Sequence, residues 1–291
     1  MTAKRIIPIT PIMRRYQALR KLPQQQRAAE AVRLVGHPAE LADEFVASVA
    51  HFTPYNNADE PFYPPERATR EFAEDVKRTN DIVLRLDDQQ HLVPIDAPGR
   101  HNDHDAGPLV HSVPAAQLAM DYLDRELLVQ RTTSPAAWED GTPNRGGVRL
   151  DVLLADAADR TPIVGELKLP GDMDPFFALV QALACAAHLA TPNQYERLRR
   201  HSHRVKLPER SKPPRLDIGV LFLSPPDHDP AQPPRGRYMA ELTTAAETLA
   251  PKLLAHEALA ATVRRIAGLD LHLDDTGAVA AKVRWAWQRA A

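Results

Sequence analysis

Apolar residues recur at helical spacing in two stretches near the start of the chain. Residues 16–34 are good helix formers. Residues 39–52 place Leu41, Phe45, Val46 and Val49 on one face. His37-Pro38 separates the two, because the residue before a proline is pushed out of the α region. Proline and asparagine punctuate residues 53–65, and a further helix carrying Phe72 and Val76 follows. Two short apolar runs, 82–86 and 92–95, flank Asp87-Asp88-Gln89-Gln90 and predict a β-hairpin. Residues 97–108 read as a polar loop.

The second part of the chain alternates in type. Residues 114–130 predict a helix with Leu118, Tyr122, Leu123 and Leu127 on one side. A loop rich in Gly, Pro and Asn, 134–147, leads to a strand over 148–154, where Val148, Leu150, Val152 and Leu154 alternate with the residues between them. A turn over 155–160 and a second strand over 162–169 follow. Asp174-Pro175 reads as an N-cap and a first-turn proline, opening a helix to about Ala190. Thr191-Pro192 restarts a basic helix to about Val205. Residues 216–223 are almost continuously apolar, as in a parallel strand buried on both faces. A proline-rich loop, 225–234, a long helix to about Leu259 and two last strands, 269–273 and 278–287, complete the chain. Trp285 and Trp287 are expected to cover the core edge from the last strand. The fold class this order predicts is α/β: a mixed central sheet flanked by helices over 111–291, preceded by a mainly helical region, 1–110, with a β-hairpin.

Composition narrows the function. The 291 residues are 44% hydrophobic and 25% charged, enough for a sizeable core. No apolar run approaches the ~18 residues of a membrane span, and residues 1–15 are too proline-broken for a signal segment. Cys185 is the only cysteine, so there is no intramolecular disulfide and no cysteine-based zinc site. A cytoplasmic protein with no membrane partner is expected. The net charge of -2 makes any nucleic-acid surface a local patch. Arginine outnumbers lysine 28 to 8, which with the 27 prolines reads as codon bias before it reads as phosphate binding.

The chemistry concentrates on two strands. Glu166 and Lys168 are two residues apart and share a face. If the strands pair antiparallel across their turn, Asp151 lies beside Glu166. Two carboxylates and an ammonium on half-buried strands are costly unless paired or metal-bound, and carboxylate oxygens suit Mg²⁺ or Mn²⁺. Asp75-Val76-Lys77 has similar spacing, but in a helical pattern, where residues i and i+2 diverge.

Asp151, the Glu166-Leu167-Lys168 triplet and the helix carrying Gln181 resemble the PD-(D/E)XK nuclease superfamily. The resemblance covers roughly 114–223 and implies a restriction-endonuclease-like αβββαβ core. It further implies that Asp151, Glu166 and the Leu167 carbonyl bind Mg²⁺ (Mn²⁺ substituting), that Lys168 positions or activates the attacking water, and that Gln181 stands beside the site. Glu126, taken as lying on the first core helix, is a further candidate ligand. RecB-like branches continue the glutamine as Q-x-x-x-Y; here Cys185 holds the tyrosine position.

Two other clusters stand out. Residues 197–215 hold eight Arg or Lys, and 1–33 hold eight against Glu30 alone. Arg149, Arg197, Arg199, Arg200, Arg204 and Lys206 are the candidate phosphate contacts. His101, Asp103, His104, Asp105 and His111 lack metal-site spacing and read as a solvated loop; His188 reads as packing or support. The function expected is a Mg²⁺-dependent deoxyribonuclease, in repair or phage defence. An inactive nuclease-fold module binding nucleic acid or protein is the alternative, and an RNA-directed nuclease the third. The N-terminal region is expected to select substrate, dimerise or contact a protein partner.

Overall fold

In a computed structural model of the chain, the residues described are 9–52, 81–97, 108–130, 148–168, 174–201, 207–210, 215–223 and 238–290. The predicted helix around Phe72 and Val76, the loops at 53–65, 134–147 and 225–234, and His101, Asp103, His104 and Asp105 lie outside them.

The chain is α/β, with a mixed, curled sheet of nine strands among the described residues. Helices α1 (Pro11–Lys21), α2 (Gln24–Gly36) and α3 (Pro38–Phe52) come first, then α4 (Asp81–Gln89). Short strands β1 (His91–Leu92), β2 (Ile95–Asp96) and β3 (Val110–Ser112) lead through a 3-10 turn to β4 (Met120–Gln130), β5 (Val148–Asp156) and β6 (Pro162–Lys168). Then follow α5 (Pro175–Leu189), α6 (Pro192–His201), β7 (Leu216–Leu223), α7 (Met239–Ala255), α8 (Glu257–Ala260), β8 (Val263–Leu273) and β9 (Val279–Arg289). The spatial order is β1-β4-β5-β6-β7-β8-β9-β2, with β3 also on β9. β4, β5 and β6 are antiparallel neighbours; β7 is parallel to both β6 and β8, as its continuous apolar run predicts.

One sheet face carries α5 and α7, covered in turn by α1–α3. All five helices share one core, in which Ile12, Leu34, Leu41 and Phe45 meet Phe176, Leu183, Leu249, Val164, Phe222 and Trp285. The other face curls around a second core, in which Ile82, Val83 and Leu86 of α4 meet Tyr122, Val152, Leu221 and Leu269. Trp285 lies flat over Gly268: a Cβ there would stand 2.4 Å from its ring, so the close packing needs glycine. Trp285 and Trp287 are both buried, as expected.

Three predicted elements differ. The segment 114–130 is not a helix but a 3-10 turn and strand β4. A bulge between Tyr122 and Asp124 inserts one residue. The buried set is Met120 and Tyr122 before it, and Leu123, Leu127 and Val129 from it onward. Met120 and Tyr122 pack into the core on one sheet face and Leu123, Leu127 and Val129 into the core on the other, so burial of one strand on both faces imitates the three-to-four spacing of a helix. Residues 82–86 form the helix α4, burying Ile82, Val83 and Leu86 at i, i+1 and i+4, so the predicted hairpin is absent. Its second half divides into β1 and β2, which extend opposite ends of the sheet. The first helix breaks at Leu22-Pro23, giving α1 and α2. Among the described residues, no single helix is long and apolar enough to cross a membrane.

Candidate active site

The site is built on β5 and β6. Their ladder runs from Ala155/Pro162 to Val152/Gly165, so one step further Asp151 stands beside Glu166. On the other side of β5, the pairs Arg125/Val152 and Leu127/Leu150 bracket Glu126 opposite Asp151. Glu126 therefore belongs to a strand and not to a helix; its side chain is outside the described residues. The backbone positions of Glu126, Asp151 and Glu166 form a row across three adjacent strands.

Glu166 is 1% exposed and Lys168 5%; Asp151 and Leu167 are half-buried. Lys168 Nζ donates to Glu166 Oε1 at 3.1 Å, and the Leu167 amide donates to Asp151 Oδ2 at 2.9 Å. Glu166 Oε2 is buried with no hydrogen-bond partner among the described residues. Burial, and then the Asp151 carboxylate beside it, push the Glu166 carboxyl well above the ordinary carboxylate range, while Lys168 pulls the other way.

Helix α5 closes this side of the sheet. Asp174 caps it as predicted, accepting from the Phe177 amide at 2.9 Å, with Pro175 in the first turn. Phe177, Gln181, Cys185 and His188 recur every three to four residues and form one stripe. The Phe177 ring lies 5.5 Å from Lys168 Nζ. Cys185 is buried, and its thiol is pushed up by burial and further by Glu166 and Asp151, so it lies within the field of the carboxylates. Gln181, between them on the stripe, is half-buried and makes no hydrogen bond to Asp151, Glu166 or Lys168 among the described residues. His188 is packing: Nδ1 meets the Ala184 carbonyl at 2.5 Å and Nε2 stands 3.4 Å from Thr10 Oγ1.

The N-terminal helices supply neighbours that sequence reasoning missed. Tyr16 of α1 stacks on Phe177, with centroids 5.2 Å apart. Its hydroxyl is pushed up by burial and then by Glu166. Arg27 of α2 lies 5.5 Å from the same ring and donates to Asp174 Oδ2 at 2.7 Å. No local pattern marks these residues; only packing brings them 150 residues along the chain to the site.

The candidate phosphate contacts are not all available. Arg197 is buried and donates to Gln194. Arg199 and Arg200 both bond Glu196, and these hydrogen bonds, with the charges behind them, hold its carboxyl down at about 2. Arg149 lies in β5 with its side chain outside the described residues, as are Arg204 and Lys206.

Asp151 and Glu166 offer hard carboxylate oxygens, one of them buried without a partner among the described residues, which fits a Mg²⁺ or Mn²⁺ ion. Among the described residues, no group of three or more His, Cys, Asp or Glu is gathered. Two carboxylates nevertheless suffice for Mg²⁺, which retains several waters.

No family model matches the chain, and neither the curated proteins nor the solved structures contain a match.

Proposed function

We propose that this protein is a metal-dependent nuclease hydrolysing phosphodiester bonds in DNA, with a restriction-endonuclease-like core formed by α4, β4–β6, α5 and β7. The observation that carries the reading is the buried Glu166, set between Asp151 and Lys168 with one carboxylate oxygen that has no hydrogen-bond partner among the described residues. The strand order supports it. Asp151 is on the middle strand of an antiparallel trio, Glu-x-Lys on the third, and a helix then crosses to a strand parallel to that third one.

In this reading Asp151 and Glu166 hold the ion, with the Leu167 carbonyl and Glu126 as further candidates. A bound Mg²⁺ or Mn²⁺ polarises the phosphate oxygens and stabilises the leaving oxygen. Lys168 offsets the carboxylate charge and would orient the attacking water; its oxygen bonds to phosphorus as the opposite P–O bond breaks, the water's proton passing to solvent and the leaving oxygen taking one from solvent. Gln181 stands on the helix stripe facing the carboxylates.

A second reading is a nucleic-acid-binding module without chemistry, favoured by the near-complete burial of Glu166 and Lys168. Cleavage assays on DNA and on RNA of the same sequence, with Mg²⁺, Mn²⁺ and EDTA, separate the readings. Nuclease action predicts losses on the order of 10²–10⁴-fold for Lys168→Ala and Glu166→Ala, with Asp75→Ala unchanged. Cutting by both site variants at the parent rate would remove the assignment, and preferential cleavage of RNA would move the substrate class.

A further inference from the structure

Among the described helical residues of the basic stretch named from the sequence, 197–215, Arg197 is buried and Arg199 and Arg200 are held by Glu196. Helix α1 is the opposite case. It carries Arg14, Arg15, Arg20 and Lys21 and no acidic residue. Arg15 is committed to Glu30 and Glu44. Arg14, Arg20 and Lys21 are exposed and make no ion pair among the described residues.

Their placement on the helix ties them to the site. At about 100° per residue, Arg20 lies ~40° from Tyr16, and Lys21 and Arg14 lie within ~20° of each other. Tyr16 stacks on Phe177, whose ring is 5.5 Å from Lys168 Nζ. Arg20, one turn beyond Tyr16, is thus the α1 cation closest to it in angle, and Lys21 and Arg14 lie ~140–160° from Tyr16, further round the helix. α1 is also fixed in place. Ile12, Met13 and Leu19 are buried in the core shared with α5, and the Arg27–Asp174 ion pair ties the following helix to the N-terminus of α5.

We infer that the nucleic-acid backbone runs over α1, with Arg20, Lys21 and Arg14 as its phosphate contacts, leading into the Asp151–Glu166–Lys168 site. This rests on the nuclease reading. It also gives the N-terminal region a role in substrate binding. A fixed helix whose guanidinium and ammonium groups make no ion pair among the described residues needs no rearrangement to meet phosphates, whereas Arg199 and Arg200 would first have to leave Glu196.

The test is fluorescence anisotropy with a labelled DNA duplex and the full chain carrying Glu166→Gln to prevent cutting, over roughly 50–200 mM salt. The triple variant Arg14→Gln/Arg20→Gln/Lys21→Gln should bind more weakly and flatten the log Kd–log salt slope by about 0.9 per lost contact. Arg199→Gln/Arg200→Gln should leave the slope unchanged. Because all five side chains are on the surface, equal melting temperatures will show that the fold is kept. In the cleaving protein, the triple variant should raise KM and leave kcat at saturation. An unchanged slope in the triple variant, or flattening confined to the Arg199/Arg200 pair, overturns the α1 track and leaves the nuclease reading standing. Absence of DNA binding by the parent overturns both.

Discussion

The Leu167 amide donates to Asp151 Oδ2 at 2.9 Å, so the middle residue of Glu-x-Lys holds the aspartate of the neighbouring strand. The ladder between β5 and β6 stops at Val152/Gly165, and beyond it this side-chain bond takes over the pairing. Asp151 is thereby fixed next to Glu166 without any ion present. Two carboxylates held together with one ammonium leave a repulsion built into the site.

That repulsion is measurable. A carboxyl whose pKa is raised on folding favours the folded state below its unfolded pKa, and the contribution is lost as pH climbs through the folded value. Near neutral pH the charged form of Glu166 therefore opposes folding. Glu166→Gln should raise Tm in EDTA, by about 2–4 °C for each 1 kcal/mol relieved. It should also remove most of the stabilisation given by excess Mn²⁺. A variant that melts lower in EDTA and retains the full Mn²⁺ shift would refute the metal-site assignment.

His188 sets an acid limit. Burial holds its imidazole down at about 4 against an ordinary 6.5, so the folded protein keeps it neutral. The unfolded chain takes up the proton first as pH falls, and stability present above 6.5 is lost on the way to about 4. The full shift corresponds to about 3 kcal/mol. Urea melts at a series of pH values should show a shallower acid slope for His188→Leu than for the parent; identical slopes would place the acid sensitivity elsewhere.

At the other end of the sheet, Arg264 binds three aspartates. Its guanidinium meets Asp217 at 2.5 Å, Asp156 at 2.9 Å and Asp159 at 2.7 Å. Burial lifts the Asp217 carboxyl above its usual range, and Arg264 and Arg265 oppose that lift. Arg264→Met should cost about 3–5 kcal/mol, because it strips the main cation from a buried charge. Without Arg264 the folded pKa of Asp217 rises further, so the loss should grow as pH rises above about 4 and shrink below it. A pH-independent loss would indicate lost packing and not lost charge.

Gly268→Ala should destabilise by about 1–3 kcal/mol, since the new Cβ meets the Trp285 ring and forces one of two packed strands to shift. Intrinsic fluorescence of Trp285 should move with it. An alanine variant with the parent's Tm would mean that the ring has room to slide.

Much of this arrangement follows from local pattern alone. The Val148–Leu154 alternation, the apolar Leu216–Leu223 run and the Asp174-Pro175 cap each form the element they predict, because period, burial on both faces and a capped first turn are properties of a few neighbouring residues. Glu166 and Lys168 share a face for the same reason. The predicted helix at 114–130 failed because β4 is buried on both faces, Tyr122 in one core and Leu123 and Leu127 in the other, and nothing within the segment reports which core each residue joins. The 82–86 run was too short for its period to distinguish strand from helix; packing under the curled sheet decided it. Likewise, charge counting found arginines at 197–200 but could not see Glu196 turn back on two of them.

The sequence by itself determined that Asp151, Glu166 and Lys168 stand on strands, that a capped helix carrying Gln181 follows, and that Cys185 is the sole thiol. Tertiary structure decided which neighbours those residues have. It set Asp151 beside Glu166 through the β5/β6 register, left one Glu166 oxygen buried without a partner among the described residues, and brought Tyr16 and Arg27 onto Phe177. The division is physical. A side chain's face is fixed by the backbone period of its own element, whereas its charge state and exposure are fixed by groups far along the chain that only packing brings near.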